Sequence, residues 1–159
     1  MLAATKFQQW SLLPLRLIVG YGFIAHGYAK VSRGPDTFAA VLQAIGVPQA
    51  NVMSWLTIII ELAGGAAVLM GAFVAFAIVP MAAVLVTAIF TFHLPYGFSS
   101  IKLQAITNHG AQFGPSGYEV DLLYLACMVT LALTGAGPFA VDSLIRKRTK
   151  VAGKAAGSR

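Results

Sequence analysis

The stretch that decides the fold is residues 52–94, VMSWLTIIIELAGGAAVLMGAFVAFAIVPMAAVLVTAIFTFHL. It holds 43 residues and a single formal charge, that of Glu61. One straight helix of this length would measure about 65 Å, whereas the hydrocarbon core of a bilayer is about 30 Å thick. We therefore predict two membrane-spanning helices, over about residues 52–70 and 73–93. The tight turn between them is expected at Gly71, because Gly suits the left-handed residue that ends a helix.

The composition of the whole chain is that of an integral membrane protein. Of its 159 residues, 58% are hydrophobic and only 10% are charged, against about 25% charged in ordinary soluble domains. The net charge of +6 comes from the C-terminal tail, since six of the 11 Lys and Arg residues follow Val141. Such a basic flank indicates topology and lipid-headgroup contact, so no nucleic-acid partner is predicted. The length predicts one membrane domain over residues 1–159, with a disordered basic tail at about residues 149–159.

Two further spans are predicted on either side of this helical hairpin, over about residues 12–29 and 118–137. In the first loop, Asp36 is a candidate N-cap of a short amphipathic helix that stops at Gly46 and lies in the interface or packs over the mouth of the bundle. The second loop covers residues 94–117. The predicted fold is therefore all-α, an antiparallel bundle of four transmembrane helices. Four spans place both termini on one side, and the positive-inside rule puts that side in the cytoplasm.

Several ionisable residues are predicted to converge on the outer half of this bundle. An ionisable side chain at bilayer depth is costly, so each is a hypothesis of function by default. Glu61 lies about 13 Å into its span, and Arg16 differs from it by only about 7 Å in depth. We predict an ion pair between them, although Arg16 could instead snorkel to the headgroups. The residues expected near the outer half are His26, Lys30, Glu61, His93 and Glu119.

His26, His93 and Glu119 are the candidate catalytic residues of a proton-exchanging site at the outer mouth. Histidine exchanges protons near neutral pH, and such groups beside an apolar slot suit a quinone headgroup. Lys30 could attract an anionic substrate. Structural interpretations stay open: the histidines as interfacial hydrogen-bonding groups, and Glu119 and Asp121 as caps of the fourth helix. No metal site is predicted, because the ligands would come from four helices with no local ligand pair.

The order and spacing of short motifs resemble the DoxX family of small four-helix membrane proteins. The motifs are Arg16, His26-Gly27-x-x-Lys30, Gly46-x-Pro48, Glu61-Leu62-x-Gly64-Gly65, Gly71, His93, Gly117-Tyr118-Glu119, Gly135-x-Gly137-Pro138 and Val141-Asp142. The resemblance covers about residues 12–145. It implies a protein of the bacterial inner membrane and a candidate oxidoreductase. Relatives are linked to thiosulfate:quinone oxidoreduction and to redox-stress membrane complexes.

The leading hypothesis is a quinone-linked oxidoreductase, or a subunit of a membrane redox complex, that uses quinone without binding it covalently. Cys127 is the only cysteine and lies in an apolar run, so a redox partner protein would have to supply any reactive sulfur. One alternative is a small proton- or solute-conducting transporter subunit, in which a homodimer would supply the missing spans. Another is a scaffold of a redox complex without chemistry of its own.

Overall fold

The structure is a computed structural model that describes residues 10–143. The predicted tail at about residues 149–159 lies outside the described residues. The main helices are α1 (Leu12–Arg33), α2 (Pro35–Ala44), α3 (Ala50–Met70), α4 (Val74–Tyr96) and α5 (Glu119–Thr134). Among the described residues, three helices, α1, α3 and α4, are long and apolar enough to cross a membrane.

The helical hairpin predicted from residues 52–94 is confirmed. Helix α3 ends at Met70, and Gly71 follows in the left-handed conformation with φ of 68°. Helix α4 then begins at Val74, one residue after the predicted start. A residue with a side chain is strained at such a positive φ, so Gly71 allows the sharp reversal between the two spans.

The fourth predicted span is shorter than expected. Helix α5 has 16 residues, which is a length of about 24 Å against a bilayer core of about 30 Å. It ends at Gly135, where φ is 88°. Helix α5 packs against α1 and α4. Three spans are thus supported by length and composition, and the four-helix bundle stays a prediction.

The first loop contains the predicted short helix, α2, with a different start. Gly34 occupies the N-cap position and Pro35 the first turn, so Asp36 lies inside the helix. The Ser54 hydroxyl of α3 donates a 2.8 Å hydrogen bond to the carbonyl of Pro35, which ties α2 to α3. Helix α1 runs on to Arg33, four residues beyond the predicted end. As a result, Lys30 lies within the helix and not in the loop.

The described part of the chain is mostly helical, as predicted, but the second loop contains a short β-hairpin that was not predicted. Residues Leu103–Thr107 (β1) and Gly110–Phe113 (β2) pair as an antiparallel β-hairpin. Gly110, with φ of 108°, makes the tight turn, and the Thr107 hydroxyl donates to the Gly110 carbonyl at 3.1 Å. The sequence signal is weak because the strands are short and exposed and carry few large apolar side chains.

Helices α1 and α3 are in close contact at Gly20 and Gly65. A Cβ atom added to either residue would lie 2.8 Å from the backbone oxygen of the other. Small residues at such a crossing let two membrane helices come into backbone contact. The buried core beside this crossing includes Val19, Phe23, Val68, Ile78, Met81, Met128 and Leu131. The outer surface exposes large apolar side chains such as Phe76 and Leu133, as a lipid-facing surface does.

Candidate functional site

The carboxylate of Glu61 is paired with Lys30. The Lys30 ammonium group lies 2.7 Å from each of the two Glu61 oxygens. The side chain of Glu61 is 7% exposed and that of Lys30 is 21% exposed. The Lys30 ammonium also lies 5.1 Å from the ring centre of Phe38 in α2, within range of a cation–π contact. Lys30 therefore links α1, α2 and α3 at one point.

Two local features bring α1 close enough to α3 for this pair to form. Residues Ile60–Gly64 form a π-helical turn, which widens the helix at Glu61. Such turns are rare and often lie at functional sites. On the facing helix, Gly27 lacks a side chain. A Cβ there would lie 2.8 Å from Leu62 Cγ and 3.1 Å from Glu61 Cβ, so a larger residue would push the two helices apart.

His93 lies at the end of a second π-helical turn, Ile89–His93, in α4. Its ring Nδ1 lies 3.1 Å from the backbone oxygen of Ser116. Its other ring nitrogen, Nε2, lies 3.9 Å from the carboxylate of Asp121 in α5. His26 of α1 and Asp121 line the same cavity. The carboxylate opposite His93 is therefore that of Asp121, one of the two acidic residues considered above as helix caps.

These groups line a cavity of about 640 Å³ bounded by α1, α3, α4 and α5, with α2 contributing to its wall. Most of the wall is apolar and includes Phe23, Phe38, Leu42, Met53, Leu56, Ile60, Val84, Leu85 and Phe92. The ionisable and phenolic side chains in the wall are His26, Lys30, Glu61, His93, Asp121 and Tyr124. A mostly apolar cavity with a few convergent polar groups is the usual form of a small-molecule site.

The predicted ion pair between Arg16 and Glu61 was wrong. Arg16 is 4% exposed, and its guanidinium donates hydrogen bonds to the carbonyls of Ala136 at 2.8 Å and Pro138 at 3.2 Å. These carbonyls follow the C-terminus of α5, where helical partners are lacking. Along α1, Arg16 is 14 residues from Lys30, or about 21 Å. Arg16 therefore holds the opposite end of the bundle and lies outside the cavity.

The predicted convergence of Glu119 with the two histidines is also corrected. The Glu119 carboxylate accepts a 3.0 Å hydrogen bond from the Ser100 backbone N–H, so it anchors the second loop to the start of α5. Two residues correspond to about 200° around a helix, so Asp121 faces a different side from Glu119. Val120, Asp121 and Tyr124 of α5 all lie in the cavity wall, and their spacing is the pattern of one helix face. A helical-face comparison of α5 was the signal that could have identified Asp121.

The fold and the cavity define a helical membrane protein with a ligand-sized site among its helices. The sequence model of the DoxX family matches residues 11–94, which include α1 to α3 and nearly all of α4. The chain belongs to the DoxX family, as the sequence motifs indicated.

Individual relatives match over most of the chain. A Bacillus subtilis protein named "Putative oxidoreductase CatD" is 32% identical over 87% of this chain and 89% of its own length. An "Uncharacterized membrane protein Rv3486" of Mycobacterium tuberculosis is 27% identical over 90% of this chain and 86% of its own length. An uncharacterized protein of Haemophilus influenzae is 28% identical over 90% and 96%, respectively. No solved structure matches the chain.

Proposed function

We propose that this DoxX-family protein binds a lipid-soluble quinone in the cavity and works as a membrane oxidoreductase or as the quinone-binding subunit of a redox complex. The observation that carries the proposal is the composition of the cavity wall. Ionisable side chains from α1, α3, α4 and α5 reach an otherwise apolar space of about 640 Å³. A related bacterial protein bears an oxidoreductase name, which supports the same class of activity.

The size and polarity of the cavity suit a ring that carries two carbonyl oxygens and a hydrocarbon tail. Ligand cavities generally measure about 300–1,000 Å³. The Lys30 ammonium has three N–H donors, of which two point to Glu61, and its side chain keeps 21% of its surface exposed. It can therefore donate to one ligand oxygen. His93 lies in the wall on α4 and can form a hydrogen bond with the other ligand oxygen.

Quinone reduction consumes two electrons and two protons. We propose a donor of the thiol or thiosulfate class, which releases two electrons as two thiols join in a disulfide or two thiosulfates join in tetrathionate. Cys127 is the only cysteine and is not among the cavity-lining residues, so the donor is a separate molecule or a redox partner protein. The role of this chain is to bind and orient the ring, exclude water and supply protons through its wall residues.

The first test is binding of decylubiquinone and of a short-chain menaquinone to the full-length protein in lipid nanodiscs. We expect saturable binding that weakens at least tenfold in His93→Ala and in Glu61→Gln. His109→Ala is the matched control, because His109 lies in the β-hairpin turn away from the cavity wall. Absence of saturable binding to the wild-type protein would contradict the proposal.

The second test measures quinone reduction, followed as the loss of the oxidised quinone after thiosulfate or a dithiol is added. Reduction that depends on His93 would support an oxidoreductase, and binding without reduction would support a subunit that needs its partner protein. Proton flux into proteoliposomes that depends on Glu61 and needs no electron donor would instead favour the transporter alternative. Normal function in a cell after alanine replacement of His26, His93 and Asp121 would favour a scaffold.

We further propose that α5 completes a four-span bundle in the bacterial plasma membrane, with both termini in the cytoplasm. The packing of α5 against α1 and α4 supports this arrangement, as do the six basic residues that follow Val141. The matched relatives come from three bacteria. In this topology, His93, Ser116 and Asp121 lie towards the outer face.

A further inference from the structure

The hydrogen bond between His93 and Ser116 decides which ring nitrogen of His93 carries a proton. The partner atom on Ser116 is its backbone carbonyl oxygen, 3.1 Å from Nδ1. A carbonyl oxygen can only accept, so Nδ1 must be the donor. In a neutral imidazole one nitrogen carries hydrogen and the other a lone pair. Neutral His93 therefore presents the lone pair on Nε2.

That lone pair faces a carboxylate. Nε2 lies 3.9 Å from the Asp121 oxygen, and the two side chains are 32% and 13% exposed, respectively. A neutral His93 opposite an ionised Asp121 would place two hydrogen-bond acceptors against each other. Unpaired acceptors in a low-dielectric site are unfavourable. One proton removes the conflict, because either an imidazolium faces a carboxylate or an imidazole faces a carboxylic acid.

Of the charged groups around the cavity, the His93–Asp121 pair is the one that needs a proton for a favourable contact. Lys30 of α1 and Glu61 of α3 neutralise each other at 2.7 Å. His26 of α1 lies in the same cavity wall as Asp121 and is a second side chain there that can bind a proton. Tyr124 of α5 supplies a phenol in the same wall. Among the cavity-lining residues, Asp121 has no Lys or Arg partner.

We propose that His93 and Asp121 together hold one exchangeable proton at the wall of the cavity. The use of that proton rests on the proposed function, whereas the existence of the pair does not. As a quinone accepts two electrons from the thiol or thiosulfate donor, the pair delivers one proton to a ligand oxygen through His93. It then takes up another from solution and delivers the second proton. Asp121 acts through His93 as a positioning and proton-holding residue.

The test is nitrogen-15 NMR of the full-length protein labelled at histidine and embedded in lipid nanodiscs without quinone. The chain has only three His residues, so His93→Gln identifies the His93 signals by their disappearance. We expect wild-type His93, once neutral at high pH, to keep its proton on Nδ1. In Asp121→Asn, the carboxamide N–H can donate to the Nε2 lone pair, so the Nε2 signal of neutral His93 should move upfield from its wild-type position.

Glu119→Gln is the matched control. It removes a carboxylate of the same helical turn, and that carboxylate bonds to Ser100 and not to His93. It should leave the His93 signals unchanged. A neutral wild-type His93 with its proton on Nε2 would overturn the inference. So would the same Nε2 signal in the wild type and in Asp121→Asn. If Asp121→Asn fails to fold, the wild-type tautomer alone decides. Because no quinone is present, failure of quinone binding would leave this result intact.

Discussion

The ammonium of Lys30 lies 2.7 Å from both carboxylate oxygens of Glu61. The buried carboxylate of α3 is therefore compensated by a cation in the last turn of α1. The partners are not equally buried, since 7% of the Glu61 side chain is exposed against 21% for Lys30. Loss of one partner leaves the other as an uncompensated charge, and a buried uncompensated charge is costly. Removal of Lys30 should therefore be worse than removal of the Glu61 charge.

We expect Lys30→Met to destabilise the folded protein by about 3–5 kcal/mol, the usual cost of breaking a buried pair from one side. Glu61→Gln should cost less, and the double variant should cost less than the sum of the two. Reversible unfolding in detergent gives the double-mutant cycle. Lys102→Met is the control, because the Lys102 ammonium lies over the Tyr96 ring at 5.9 Å, away from this pair. Additive effects of the two changes would show that the ion pair is not a stabilising contact.

The close approach of α1 and α3 predicts a steric penalty at Gly20. A Cβ at this position would lie 2.8 Å from the Gly65 oxygen and from Leu69 Cβ. Gly20→Ala should therefore destabilise the protein by about 1–3 kcal/mol, which is typical of overpacking. Ala75→Ser, on the exposed surface of α4, is the control for a one-atom enlargement. Equal unfolding midpoints for Gly20→Ala and the wild type would mean that the helices can separate without cost.

Arg16 should matter for stability and not for ligand binding. Its guanidinium donates to the carbonyls of Ala136 and Pro138, and hydrogen bonds to charged groups contribute about 1.5–3 kcal/mol each. Arg16→Met should lower the thermal midpoint clearly. At a temperature where the variant is folded, decylubiquinone affinity should match that of the wild type. Weaker quinone binding with unchanged stability would instead place Arg16 in the ligand site.

The proposed topology predicts the side from which two turns can be labelled. In a Cys127→Ala background, Ala72→Cys marks the turn between α3 and α4, and Asn108→Cys marks the turn of the β-hairpin. A membrane-impermeant maleimide added to cells with a permeable outer barrier should label Asn108→Cys directly. It should label Ala72→Cys only after the inner membrane is opened. The opposite pattern would invert the topology, and labelling of both from outside would contradict the spans.

The membrane class, the three longest helices and the hairpin at Gly71 were accessible from the sequence because they depend on local properties. An apolar run has a length that can be compared with the bilayer, and a left-handed turn requires a particular residue at one position. The family followed from the spacing of short motifs. The short helix α2 was likewise recognisable from its apolar spacing and from the Gly that follows it.

Only the tertiary structure decided the pairing of the charges. Each residue of helix shifts a side chain by about 1.5 Å along the axis and about 100° around it. The predicted α1 ended too early, and this small error made Arg16, instead of Lys30, the predicted partner of Glu61. The π-helical turns at Glu61 and His93 change helix rotation in ways that apolar spacing does not reveal. Rotation likewise decided that Asp121 and not Glu119 lines the cavity. Residue types alone identified which charges the membrane must accommodate, whereas the relative rotation and depth of the helices determined which of them meet.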